Sequence, residues 1–234
     1  MSRLPHTDKV AVVTGAASGI GQAIAVRLAR DGARVACLDL NAADETVARA
    51  KMVGGEVAAW HCDVTEPAAI DAAVSEVERR WGGPTILVHS AVYQFVRPFE
   101  QVSFDAWRRV QSVNIDALFH LSQRLLAGMR ARRWGRILAI ASSTFFVGAD
   151  AMTHYVTSKG AVIGFVHGLA AEVGRDGITI NALAPGLTRT PSAVADLPPE
   201  VFAQVARLQA IPRNGTPEDQ AGVASFLVSD EAGF

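Results

Sequence analysis

The run ASSTFFVGADAMTHYVTSK, residues 141–159, sets Tyr155 four residues before Lys159 and places two hydroxyls, Ser142 and Ser143, thirteen and twelve residues before the tyrosine. Removing the proton of an alcohol during oxidation needs a base, and a phenol with an ordinary pKa of about 10 serves only if its ionised form is stabilised. On a helix Lys159 falls one turn after Tyr155, on the same face, where an ammonium lowers the phenol pKa. Lowering that pKa from about 10 to about 7 or 8 makes such a tyrosine useful near neutral pH, and each tenfold gain in ionisation corresponds to about 1.4 kcal/mol. Taken singly, these residues have plainer uses. Tyr-x-x-x-Lys also describes a packed ring beside an amine that reaches to solvent, and a serine at a strand end also caps a turn.

Upstream, VVTGAASGIGQAI passes from a strand directly into a helix, with Gly15, Gly19 and Gly21 at the joint. Glycine lets the backbone turn sharply and approach a pyrophosphate, while the helix start offers unsatisfied N–H groups to the phosphates. The spacing is G-x-x-x-G-x-G rather than the general dinucleotide pattern G-x-G-x-x-G, so its weight comes from the flanking strand and helix and from Asp39 at the end of the second strand. A carboxylate there accepts hydrogen bonds from both ribose hydroxyls of an adenosine and repels a 2′-phosphate. No Lys or Arg among Ala16, Ala17, Ser18 and Leu40 offsets it, which predicts NAD rather than NADP. Asp63 ends the third strand, where it either reaches the adenine or caps the next helix.

These groups need a scaffold that brings strand ends together. Apolar runs VAVVT, VACLD, VAAWHC, TILVHS, RILAIAS and ITINALA alternate with helical periodicity over 19–30, 42–52, 66–80, 104–132, 155–174, 199–208 and 217–227. Near-continuous apolar strands separated by amphipathic helices predict α/β architecture: a single Rossmann-type, doubly wound parallel sheet with helices on both faces, spanning 1–234 as one domain. Thr65 and Ser103 are read as helix N-caps, and 185–199 as a long loop beside the site. A formal charge of -1 and no long basic block predict a small-molecule partner, no nucleic acid and no membrane. Cys37 and Cys62 sit in apolar runs and read as buried thiols, and the absence of a long apolar segment predicts a soluble, cytoplasmic protein.

Through TGAASGIG, CDV, VNIDALF, the Ser142, Tyr155 and Lys159 set and INALAPG, the sequence resembles the short-chain dehydrogenase/reductase family from about Lys9 onward. Within that family it is most similar to NAD-dependent secondary alcohol dehydrogenases of the (S)-1-phenylethanol type, with pyridoxal 4-dehydrogenase second. The resemblance implies that Ser142 holds the substrate oxygen, Tyr155 is the acid/base, Lys159 binds ribose and tunes Tyr155, and Asn114 holds a water that relays protons to Lys159. It extends the cofactor contacts to Ser18, Ile20, Leu40, Asp63, Val64, Ser90, Ala91, Pro185, Gly186, Thr188 and Thr190, leaving open which threonine holds the nicotinamide carboxamide. It also implies a homo-oligomer, a tetramer or dimer, and no metal.

Three stretches depart from the family pattern. His89-Ser90-Ala91-Val92 replaces the usual Asn-Asn-Ala-Gly, which points to weaker cofactor binding, with His89 read as a core histidine rather than a base. Phe145 stands where a glycine is common and is followed by Phe146; with Tyr93 these rings form either an apolar wall of the substrate pocket or ordinary core. The sequence ends at SDEAGF, before the family's last strand. The expected activity is interconversion of a secondary, aromatic or bulky alcohol and its ketone. The alternatives are reduction of another carbonyl, pyridoxal or a 3-oxoacyl thioester, and an NAD-sensing module without turnover.

Overall fold

The computed structural model describes residues 4–234. Six parallel strands, β1 (Val10–Thr14), β2 (Arg34–Asp39), β3 (Glu56–His61), β4 (Ile86–His89), β5 (Gly135–Ile140) and β6 (Ile178–Leu183), form one sheet in the order β3-β2-β1-β4-β5-β6. The order reverses between β1 and β4. At such a switch point the connecting helices leave in opposite directions and open a crevice above the carboxyl ends of the strands. Register pairs Thr14 with His89 and His89 with Ala139, which brings the ends of β1, β4 and β5 level with one another.

Every residue of β1, β4 and β5 is buried, and most are apolar, so both faces of the sheet are covered. On one face α3 (Pro67–Trp81), α5 (Ala117–Arg132) and α7 (Thr153–Val173) cover Val12, Leu38, Leu87 and Ile137. On the other, α1 (Gly19–Arg30), α2 (Asp44–Met52) and α10 (Pro217–Leu227) cover Ala11, Val13, Val35, Val88 and Leu138. The sheet is the expected doubly wound one, and among the described residues β3 and β6 are its two edges.

Three sequence expectations need correction. The single helix expected over 104–132 is α4 (Phe104–Gln111), a five-residue π turn (Ser112–Asp116) and α5, with the Ala117 amide bonded back to the Ser112 carbonyl. The apolar period runs through this join, so periodicity conceals a wide turn that carries Asn114 into the core. Thr65 does not cap α3: the helix begins at Pro67, whose fixed φ suits a first turn, and the Thr65 hydroxyl instead donates to Asp63 Oδ1 at 2.7 Å. The stretch 185–199 contains a short helix, α8 (Pro191–Asp196), before α9 (Pro199–Leu208) begins. Ser103 does cap α4, accepting from the Ala106 amide at 3.2 Å. Cys37 and Cys62 are free and buried, and burial pushes their thiols up to about 12 and about 11.

Candidate active site

The loop between β1 and α1 is fitted to its surroundings by glycine alone. Gly15 has φ +65°, and a Cβ there would lie 2.7 Å from the Ala91 amide nitrogen, so the loop after β4 presses against it. A Cβ on Gly21 would overlap the Gly15 carbonyl. Ser18, at the N-cap of α1, makes no side-chain capping bond, which leaves the first turn of α1 open toward the cleft. Asp39 anchors the far side: its carboxylate accepts from the Ala17 amide at 2.9 Å and the Asn41 amide at 2.9 Å. Next to it Leu40 is exposed, whereas Val64, beyond β3, is buried. Asp63 is not a helix cap; it accepts from the Thr65 amide and hydroxyl, and these two bonds hold its carboxyl below the usual range.

Thr14, the last residue of β1, accepts from both Ser90 and Ala91 amides at 3.1 Å, which tethers the loop after β4 to the glycine loop. Val92, in the same loop, is exposed rather than packed. Beyond β6, the Thr188 hydroxyl donates back to the Gly186 carbonyl and is buried, while the Thr190 methyl comes within 3.2 Å of where a Gly19 Cβ would be. Thr190 is therefore the threonine beside the glycine loop. Its hydroxyl caps α8 by accepting from the Ala193 amide at 3.2 Å, with Pro191 at the first helical position. Pro185, just before Gly186, accepts from the Ser143 amide through its carbonyl at 3.0 Å, which joins this segment to the end of β5.

At that end of β5 the Ser142 hydroxyl oxygen accepts from the Thr144 amide at 3.2 Å and the Thr144 hydroxyl at 2.8 Å. Both acceptor sites of Ser142 are then filled, and its own hydrogen is left to donate. Ser142 lies near enough to Tyr155 to favour the phenolate. Lys159 is almost wholly buried, bonds through Nζ to the Ile140 carbonyl at 2.6 Å and has its pKa lowered to about 8 by burial. The phenol of Tyr155 is raised above its ordinary value, chiefly by burial, so the structure does not show the expected lowering by Lys159. The reason is distance and desolvation: Nζ lies 5.6 Å from the ring centroid and is held by Ile140.

Asn114 is fully buried and committed to structure. Its Oδ1 accepts from the Tyr93 amide at 2.8 Å, and its Nδ2 donates to the Tyr93 carbonyl at 3.1 Å and to Ser158 Oγ at 2.9 Å. Both side-chain hydrogens are used, so a water at Asn114 has only the second Oδ1 lone pair and the main chain available. Ser158 in turn donates to the Tyr155 carbonyl at 2.7 Å. Sequence reading missed Thr144 and Ser158; their spacings, two after Ser142 and three after Tyr155, are local hydroxyl positions that offer a signal only once those two residues are assigned.

The aromatic residues divide. Phe145 lies against Gly160, where a Cβ would meet its ring at 2.7 Å, while Phe146 is 69% exposed and meets Phe145 edge-on at 5.1 Å between centroids. They do not fill the core; they stand on the short helix α6 (Thr144–Val147) beside Ser142. The Tyr93 ring faces Arg109 at 4.8 Å. His154, beside Tyr155, is 1% exposed, stacks on Phe95 at 3.9 Å and donates from Nε2 to the Phe95 carbonyl, so it belongs to the scaffold and not to the surface.

A family model described as enoyl-(acyl carrier protein) reductase matches residues 15–234. The chain is 35% identical to 2-(S)-hydroxypropyl-CoM dehydrogenase 3 of Xanthobacter autotrophicus, over 97% of its own length and 92% of that protein. It belongs to the short-chain dehydrogenase/reductase family. Another member, cyclohexanol dehydrogenase of Acinetobacter sp., is 34% identical over 97% of this chain and 90% of its own. The crystal structure of levodione reductase superposes with a TM-score of 0.92 at 28% identity, covering 97% of this chain and 93% of that one. As a short-chain dehydrogenase/reductase the chain is an oxidoreductase acting on alcohols or ketones, and the family uses a nicotinamide dinucleotide, NAD or NADP. Its glycine loop, uncapped α1 and Asp39 fit such a group. Among the described residues no helix is long and apolar enough to cross a membrane, and no cluster of acidic, His or Cys side chains is arranged to hold a metal.

Proposed function

We propose that this chain is an NAD-dependent alcohol dehydrogenase that interconverts a secondary, aromatic or bulky alcohol and its ketone. The observation that carries the reading is the convergence of Ser142, just beyond the end of β5, and Lys159, from α7, on Tyr155. The bound nicotinamide supplies the hydride acceptor or donor. Tyr155 takes the hydroxyl proton during oxidation and returns it during reduction. Ser142, with both lone pairs held by Thr144, donates its hydrogen to the substrate oxygen and so keeps that oxygen within reach of the phenol. Lys159 holds its buried ammonium 5.6 Å from the centroid of the phenol ring and binds the ribose. Asn114 fixes the Tyr93 backbone and, through Ser158, the turn of α7 that carries Tyr155.

NAD over NADP rests on Asp39: its carboxylate stands at the loop, bonded to the Ala17 and Asn41 amides and to no Lys or Arg among the described residues, so a 2′-phosphate would meet negative charge there. The contacts assigned to the cofactor are Gly15, Ser18, Gly19, Ile20, Gly21, Asp39, Leu40, Asp63, Val64, Ser90, Ala91 and the 185–190 segment. The bulky substrate rests on Phe145 and Phe146, apolar groups left exposed on α6 beside Ser142. We further infer a cytoplasmic homo-oligomer.

The experiment is absorbance at the NADH band with the purified protein, NAD or NADP, and a panel of aromatic, alicyclic and aliphatic secondary alcohols. NADH formation favouring the aromatic or alicyclic group is the expected result. Silence on every alcohol and ketone despite NADH binding would overturn the catalytic reading.

A further inference from the structure

His89 ends β4 beside Thr14 in the sheet, is 2% exposed, and takes no part in the proton transfer or substrate contacts of Tyr155 and Ser142. Thr14 Oγ1 lies 3.0 Å from His89 Nδ1 and 3.1 Å from each of the Ser90 and Ala91 amide nitrogens. A hydroxyl has two acceptor sites and one hydrogen, and an amide N–H only donates. The two amides therefore take both acceptor sites, and the Thr14 hydrogen goes to Nδ1. This assigns the tautomer: Nδ1 is the bare nitrogen and Nε2 carries the proton.

Nε2 is buried and has no hydrogen-bond partner. The main-chain carbonyls of Val113 and Asn114, in the π turn, favour a proton on the ring without reaching it at hydrogen-bond geometry. Burial, with the charge of Lys159, overrides them and lowers the imidazole to about 3, so His89 is neutral at any working pH and is no general base. One side of the ring thus accepts from the tether of the cofactor loop, and the other presents a donor to the turn that carries Asn114.

We propose that His89 is a positioning residue: a neutral imidazole, fixed as the Nε2–H tautomer, that couples the loop of Thr14, Ser90 and Ala91 to the π turn of Asn114. Through Asn114 and Ser158 the coupling reaches the main chain of Tyr155. Leucine at position 89 would leave the Thr14 hydrogen without an acceptor and free both segments to shift. Asparagine has a carbonyl for Thr14 and an NH2 for the turn, and preserves both roles in a shorter side chain. This rests on reading the glycine loop as a cofactor site.

Nitrogen-15 NMR of the full chain labelled at histidine, at pH 7, is expected to show His89 protonated at Nε2 only. Protonation at Nδ1, or at both nitrogens, overturns the proposal whatever the fate of any variant. His89→Leu is expected to weaken NADH binding at least fivefold and lower kcat at least tenfold, while His89→Asn stays within about threefold of the wild type in both. Two variants that melt lower yet keep wild-type NADH affinity and kcat would show a role in stability alone, and the proposal would fail. NADH binding by the unaltered protein is read separately: its absence sinks the cofactor reading, whereas the tautomer decides the coupling.

Discussion

The ammonium of Lys159 lies 5.6 Å from the centroid of the Tyr155 ring, one helical turn away; the amine is buried and the tyrosine half-buried. Burial disfavours the charged form of each, raising the phenol and lowering the amine to about 8. Reduction of a ketone needs the neutral phenol beside the charged amine. Since Lys159 loses its proton as pH rises through about 8, kcat/KM for reduction is expected to fall above that pH. Oxidation needs the phenolate, so its kcat/KM should still be rising at pH 8. Initial rates in both directions from pH 6 to 10 check this; parallel profiles would contradict it.

Tyr155→Phe removes only the proton-carrying oxygen. General acid/base catalysis contributes about a hundredfold to ten-thousandfold, so turnover is expected to drop at least a hundredfold while NADH affinity, read by fluorescence titration, changes less than threefold. A variant retaining a tenth of the wild-type rate would remove Tyr155 from the mechanism.

Lys159→Met tests whether the buried charge is kept for function. A lysine whose folded pKa lies below its unfolded value destabilises the fold below the folded pKa, and stability recovers as pH rises from about 8 toward 10.5. That difference corresponds to about 3 kcal/mol, offset by the lost hydrogen bond to Ile140, worth about 1.5–3 kcal/mol. The variant should be inactive yet melt no lower than the wild type at pH 7. A drop in Tm of more than about 5 °C would show that the bond outweighs the burial.

What the sequence made legible was local: Gly15, Gly19 and Gly21 between a strand and a helix, Asp39 closing β2, and Tyr155 and Lys159 one turn apart. Such signals depend on spacing within a single element, and α7 and the β1 to α1 joint keep that spacing. Features set by meetings between elements were hidden. The π turn leaves the apolar period unbroken, the His154 ring finds Phe95 across the fold, and the tether from Thr14 to Ser90 and Ala91 joins residues far apart in the chain. Helix α8 does carry a local signal, since Thr190-Pro191 is an N-cap followed by a proline at the first helical position. The pKa of Tyr155 was out of reach because burial, not sequence spacing, sets its direction.

Asp39→Ala should erode the choice of cofactor. The wild type is expected to favour NAD over NADP at least a hundredfold in kcat/KM, and the variant to narrow that ratio at least tenfold. Because the carboxylate also bonds the Ala17 and Asn41 amides, activity with NAD should fall as well. A wild type that uses NADP as readily as NAD would show that the carboxylate does not read the ribose.

Phe145 and Phe146 stand side by side but carry different loads. Phe145 is 41% exposed and fills the space over Gly160, so Phe145→Ala leaves a gap against α7, the helix that carries Tyr155. Phe146 touches Phe145 edge-on and otherwise faces solvent, so Phe146→Ala should change stability by less than about 0.5 kcal/mol. If its ring is a wall of the substrate pocket, the same variant should raise KM for an aromatic alcohol about tenfold and leave KM for 2-propanol within twofold, because the lost contact is apolar area that only the larger substrate covers. Equal changes for both alcohols would place Phe146 outside the pocket.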